Sequence, residues 1–146
     1  MKVCIVGGVA GGATAAARLR RLSEETEIII FERTAYVSYA NCGLPYYIGG
    51  EIADKADLTL QTPETFRERF AIDIRCESEV VAIHRTEKTL EVKNLRDGTV
   101  YTESYDKLIL SPGAKAALPP VFGLDCPNIF TLRTVEDAVR IRTFAE

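Results

Sequence analysis

Uninterrupted apolar runs at Val3-Cys4-Ile5-Val6, Ile28-Ile29-Ile30-Phe31 and Leu108-Ile109-Leu110 mark strands buried on both faces, the pattern of a parallel sheet. Ala13–Leu22, between the first two, is rich in helix formers, so residues 3–32 read as one β-α-β unit. Further on the pattern changes. Strands are expected at Ile72–Arg75, Glu79–Arg85, Leu90–Leu95 and Val100–Ser104, and the alternation Leu90-Glu91-Val92-Lys93 marks a half-exposed hairpin strand that turns at Arg96-Asp97-Gly98. Residues 79–104 therefore predict an antiparallel meander. Thr62–Phe70 predicts a short helix with Thr62 as N-cap and Pro63 in the first position, while Thr65 stands where a capping box wants Glu. Lys115–Pro127, with three prolines, reads as a surface connection, Asn128–Leu132 as a returning strand and Val135–Ala145 as a helix. The expected fold class is α/β. Residues 3–32 and 106–113 should supply neighbouring parallel strands of a Rossmann-like sheet, with the meander packed at its side.

The turn after the first strand, Gly7-Gly8-Val9-Ala10-Gly11-Gly12, and the acid Glu32 after the second complete a dinucleotide fingerprint. Glycines let the backbone turn tightly, helix-start amides face a pyrophosphate, and the carboxylate accepts bonds from ribose hydroxyls. Gly7 and Gly12 fit the first and third glycines, but Val9 occupies the middle position. Its side chain should crowd a pyrophosphate unless the loop shifts through Gly8 or Gly11. At the other end, Ser111-Pro112-Gly113 closes a strand where open α/β sheets bind ligands.

The segment Ser38–Gly50 adds chemistry. Cys42 sits between Asn41 and a Gly43-Leu44-Pro45 bend, and a thiol beside a dinucleotide site points to redox chemistry at sulfur. The sequence places Cys42 at the start of a helix containing Pro45–Ile48, beside free amides. Cys4, Cys76 and Cys126 read as structural or incidental. No C-x-x-C pair occurs and His84 is the single histidine, so no zinc site is expected. At 146 residues the chain has the length of one domain, and its net charge of −3 argues against nucleic acid and membrane surfaces. No apolar stretch approaches the ~18 residues of a membrane span, and the N-terminus lacks a signal-peptide pattern. Reducing cytoplasm is the expected compartment.

Together, Gly7–Gly12, Phe31-Glu32, Ser38–Gly49, Glu79-Val80, Tyr105–Ala114 and Thr131-Leu132-Arg133 resemble the single-cysteine branch of the pyridine-nucleotide–disulfide oxidoreductases. The resemblance spans nearly the whole chain, and Tyr-Ala-Asn-Cys-Gly-Leu-Pro-Tyr-Tyr is highly specific. It implies that residues 1–146 are the N-terminal part of an FAD domain, truncated before a nicotinamide domain and a dimerisation domain. The full-length protein would be a homodimeric, FAD-dependent enzyme oxidising NAD(P)H. Cys42 would be the nucleophile toward coenzyme A disulfide or a related disulfide or persulfide, with Asn41 beside it. Gly7, Gly8, Val9, Ala10, Gly11, Gly12, Glu32, Arg33, Val80, Ser111, Pro112 and Gly113 would bind FAD. Thr14, Arg18, Arg21, Ser38 and Asn41 would contact coenzyme A. Arg18 and Arg21 also share a helix face by spacing alone, which suits either phosphates or the helix dipole.

Two positions bear on the substrate. Phe70 stands where the coenzyme A reductases carry a contacting lysine, and Ala10 where the sister NADH oxidases and peroxidases carry a histidine. Those sister enzymes cycle through a cysteine sulfenic acid, so thiol–disulfide exchange is favoured here. A third reading treats the fragment alone as a non-catalytic nucleotide-binding module, holding FAD weakly and without turnover.

Overall fold

The computed structural model describes residues 1–146, which divide into two compact units: Met1–Tyr39 with Gln61–Pro112, and Ala40–Leu60 with Gly113–Glu146. In the first unit, strands β1 (Lys2–Val6), β2 (Glu27–Phe31), β3 (Asp73–Arg75) and β7 (Lys107–Leu110) form a parallel sheet in the order β3-β2-β1-β7. Cys4 pairs with Ile29 on one side and Leu108 on the other, the expected neighbourhood of the first and last apolar runs. Strands β4 (Ser78–His84), β5 (Thr89–Asn94) and β6 (Val100–Ser104) form the antiparallel meander. Both faces of β1 and β2 are covered, which explains their continuous apolar runs; β7 lies at the sheet edge with Leu108 and Ile109 half-buried and Leu110 exposed, contrary to the buried strand its apolar run suggests. Val3, Ile5, Ile28 and Ile30 pack with helix α1 (Ala10–Leu22), while Cys4, Ile29 and Phe31 meet Leu90 and Val92 of the meander.

Helix α1 begins three residues earlier than its helix formers suggest, so Gly11 and Gly12 lie in its first turn. Arg20 on its last turn donates to the carbonyls of Phe70 and Ala71, at 2.7 and 2.9 Å, tying α1 to the end of helix α3 (Pro63–Phe70). The N-cap and proline of α3 stand as expected. Thr65 does the work expected of a glutamate: its hydroxyl accepts from the Thr62 amide at 2.8 Å, completing a capping box.

A half-buried ion network fastens the meander to the sheet. Glu103 of β6 pairs with Lys2 of β1 and, at 2.6 Å, with Arg75 of β3; Arg75 also meets Asp73 and lies over the rings of Phe31 and Tyr101. Burial works against ionisation of Glu103, but the bonds from Lys2 and Arg75 outweigh it and hold its carboxyl below the ordinary value. A depressed carboxyl contributes stability that is present above its unfolded value, near pH 4.3, and lost as the pH falls through the folded value. Glu103→Gln is therefore expected to cost about 2 kcal/mol at pH 7 by leaving two cations short of a partner. Urea unfolding should show that difference shrinking below pH 4; a difference unchanged at pH 3 would contradict the network's role.

The second unit carries a 3-10 turn at Asn41–Gly43, helix α2 (Leu44–Gly49), another 3-10 turn at Lys55–Leu58 and helix α4 (Val135–Ala145). Asn128–Leu132 is not a strand, contrary to the sequence expectation. A strand is defined by its ladder partner, and this segment has none. Ile129 instead donates to the Cys126 carbonyl in a turn, and Phe130 packs against Phe144 of α4 with the rings tilted by 56° and their centroids 5.0 Å apart.

Candidate functional site

The first unit assembles most of the fingerprint residues. Gly7 has φ of +94°, and a Cβ there would meet the Ser111 carbonyl oxygen at 2.0 Å; a Cβ on Gly12 would lie 1.8 Å from the Gly7 oxygen. Both positions are therefore closed to side chains. The loop bends at Gly7 and not at Gly8 or Gly11, whose φ angles are ordinary, and Val9 is half-buried at the N-cap of α1. Ser111 clamps the turn from β7: its amide donates to the Val6 oxygen, and its Oγ lies 3.0 and 3.2 Å from the oxygens of Val6 and Gly7. Helix α1 has neither a side-chain cap nor an acidic residue in its first turn, unlike α3 and α4 with their capping boxes. Its first amides remain open to an anion.

Glu32 is buried at the end of β2. Oε2 accepts from the Gly8 amide at 2.8 Å, and Oε1 from the Thr34 amide and hydroxyl at 2.8 and 2.9 Å. A carboxylate offers about four lone-pair positions, so Oε2 retains one that a sugar hydroxyl can fill. Beside it lies a cleft of about 140 Å³ lined by Val6, Gly7, Phe31, Glu32, Arg33, Ser78, Glu79, Val80 and Pro112. The residues thus fit the pyrophosphate and adenosine end of a dinucleotide: a tight glycine-rich turn, open helix amides and a placed carboxylate. Ser78 and Thr34 escaped the sequence reading. Thr34 could have been found, since a Thr two residues beyond a buried acid is placed to bond back to it.

On α1, Thr14, Arg18 and Arg21 are exposed at i, i+4 and i+7 spacing, and neither arginine forms an ion pair. Ser38, half-buried, holds a left-handed φ of 50° and donates its amide to the Gly8 carbonyl at 3.0 Å. Phe70 packs on the sheet-side core and against Phe66, with ring centroids 5.8 Å apart. Ala10, exposed, opens α1.

Asn41, Cys42 and Gly113 belong to the second unit. Cys42 occupies the 3-10 turn that runs directly into α2, close to its expected place, and its thiol is exposed and free. Burial pushes the thiols of Cys4 and Cys76 up to about 11, with Glu103 and Glu32 adding to it respectively, which makes both poor nucleophiles. Cys126 is exposed in an irregular turn, and His84 is engaged with Glu91 at 2.9 Å on the hairpin surface. No helix is long and apolar enough to cross a membrane, and no cluster of metal-ligating side chains occurs.

Parallel strands, a glycine-rich turn and a terminal carboxylate define a dinucleotide-binding unit of the Rossmann type. Residues 1–144 match the pyridine nucleotide-disulphide oxidoreductase family, and the chain belongs to that family, whose members are flavin-dependent and use FAD with NAD(P)H. It is 44% identical over 145 residues to a coenzyme A disulfide reductase of Staphylococcus haemolyticus, spanning 99% of this chain and 32% of that protein. The reduced CoADR-RHD of Bacillus anthracis superposes with a TM-score of 0.95 at 55% identity, over 98% of this chain and 26% of that one. A NAD-dependent persulfide reductase from A. fulgidus superposes at 0.90 with 33% identity, over 97% and 27%. The chain thus spans about a third of the curated relative's length.

Proposed function

We infer that this chain forms the FAD-binding and thiol-bearing part of an NAD(P)H oxidoreductase that reduces coenzyme A disulfide or a related small disulfide or persulfide. The exposed, unpartnered Cys42 at the start of α2 carries the reading, set against Cys4 and Cys76, which burial makes poor nucleophiles. Its thiolate attacks one sulfur of the substrate disulfide. A new S–S bond joins Cys42 to one half as the substrate's own S–S bond breaks, and the released thiolate takes a proton from water. FAD, when bound, supplies a two-electron carrier between a nicotinamide and sulfur. The chain's own contribution there is the Gly7–Gly12 turn and α1 amides for the pyrophosphate, Glu32 for the ribose, and Arg33, Val80, Ser111, Pro112 and Gly113 for the rest of the cofactor's edge. Thr14, Arg18, Arg21, Ser38 and Asn41 bind coenzyme A in this reading; the two free guanidiniums on one face of α1 suit its phosphates. Asn41 stands next to the nucleophile in the same turn.

The oxidase and peroxidase reading has less support, because Ala10 offers no imidazole at the start of α1. Incubating the 146-residue chain with coenzyme A disulfide tests the proposal. Mass spectrometry of the digested protein should find a coenzyme A adduct on the Cys42 peptide, formed at least tenfold faster than on the Cys126 peptide, as expected on the order of magnitude for a positioned thiol. Equal labelling of the two would remove Cys42 from its role.

A further inference from the structure

Cys42 is exposed and in no disulfide, and it lies in the 3-10 turn that runs directly into α2, so the backbone of that turn and of α2 places its thiol. A helix of six residues cannot hold itself in water. Its leading side is held locally: Ala40 donates its amide to the Leu58 carbonyl at 2.8 Å, Gly43 to Ala40 at 3.0 Å, and Leu44 is buried. Its trailing end stops at Gly50, φ +88°, and the chain doubles back, with the Ile52 amide meeting the Tyr46 carbonyl. Into that bend reaches a side chain from about ninety residues further along.

Resting on the assignment of Cys42 as nucleophile, we propose that Arg142 is a positioning residue for it, capping the far end of the helix that begins at the thiol. The Nη1 of Arg142 lies 3.2 Å from the Tyr47 oxygen, 3.4 Å from that of Ile52 and 3.2 Å from that of Ala53. The guanidinium lies over the Tyr47 ring, 4.6 Å from its centroid, and Nε pairs with Glu146 at 3.0 Å. One group thus serves carbonyls on both arms of the bend and places positive charge at the helix C-terminus, where it is favourable. Nη1 shares its two hydrogens among the three carbonyls while the guanidinium plane lies over the Tyr47 ring and Nε holds Glu146; an ammonium can reach carbonyls but offers neither the flat face nor a second nitrogen for the carboxylate. Helix α4 has its own capping box, Thr134 with Asp137, so it does not depend on Arg142 to form.

The test compares the wild-type 146-residue chain with Arg142→Ala and Arg142→Lys in their rates of adduct formation with coenzyme A disulfide at Cys42. Alkylation of Cys126 by iodoacetamide serves as the internal reference. Arg142→Ala should slow the Cys42 reaction about tenfold, the scale of a displaced reacting atom, with Cys126 unchanged. Arg142→Lys should recover less than half of the loss. An Arg142→Ala chain that reacts at the wild-type rate overturns the proposal, and so does full recovery by lysine, since charge alone would then suffice. Absence of any Cys42 adduct on the wild-type chain overturns the assignment of the nucleophile itself, and with it the role of Arg142.

Discussion

Replacing Gly12 by alanine should destabilise the protein by about 3 kcal/mol or more, far beyond the cost of an ordinary surface change. The added carbon would sit 1.8 Å from the Gly7 oxygen and 2.8 Å from Ser111 Oγ. Neither can retreat freely. The Gly7 amide is bonded to the Phe31 oxygen at 2.8 Å, and Ser111 is fixed to Val6 through its own amide. Relief would have to separate α1 from the turn, which removes the anion site as well, so ADP binding should disappear. Gly98→Ala is the control: its φ of +77° costs strain of about 1 kcal/mol, but nothing lies within 4 Å of the new carbon. Urea denaturation and an ADP titration by calorimetry read both effects. A Gly12→Ala chain within 1 kcal/mol of wild type would show that the turn yields where its packing says it cannot.

Glu32→Gln should be nearly as damaging despite conserving shape. Both oxygens of Glu32 face donors, the Gly8 amide on one side and the Thr34 amide and hydroxyl on the other. In either orientation of a glutamine, its NH₂ points at an N–H. The expected loss is about 2 kcal/mol of stability, the cost of a buried donor left without an acceptor, and at least tenfold in ADP affinity. Thr34→Val, which removes the hydroxyl's contacts with Glu32 and Tyr36 but keeps the amide bond to Glu32, should lose about 1 kcal/mol. If Glu32→Gln bound ADP as wild type does, the carboxylate would be holding neither the loop nor the sugar.

The parallel sheet was legible in the sequence because burial on both faces leaves no polar position from Val3 to Val6 or from Ile28 to Phe31, and the meander because one solvated face forces alternation. The glycine turn was legible in outline, yet the reason for Gly12 lies in Ser111 and Gly7, contacts that no local pattern contains. Glu32 could be read as a ribose ligand, but its grip on Gly8 depends on β1 and β2 being neighbours. Asn128–Leu132 has a strand's composition and lacks a strand's partner, a property of the surroundings that the segment itself does not encode. Arg142 looked like one more charge on a helix face. Its meaning comes from carbonyls some ninety positions earlier, and only the folded chain brings them together.

The position of β7 in the sheet also bears on how the protein comes into being. β1 finds β2 across a short loop and one helix, but its other neighbour, β7, arrives only after about a hundred further residues, as the pairing of Cys4 with Ile29 and Leu108 shows. Closing so long a loop is slow compared with forming a local β-α-β unit. During synthesis from the N-terminus, the first strand must wait beside an open edge until Leu108–Leu110 emerge, and Ser111 follows directly behind them. The clamp on the glycine turn is therefore among the last contacts to form in the first unit, and competence to hold a nucleotide is acquired late, as a sign that the sheet has closed.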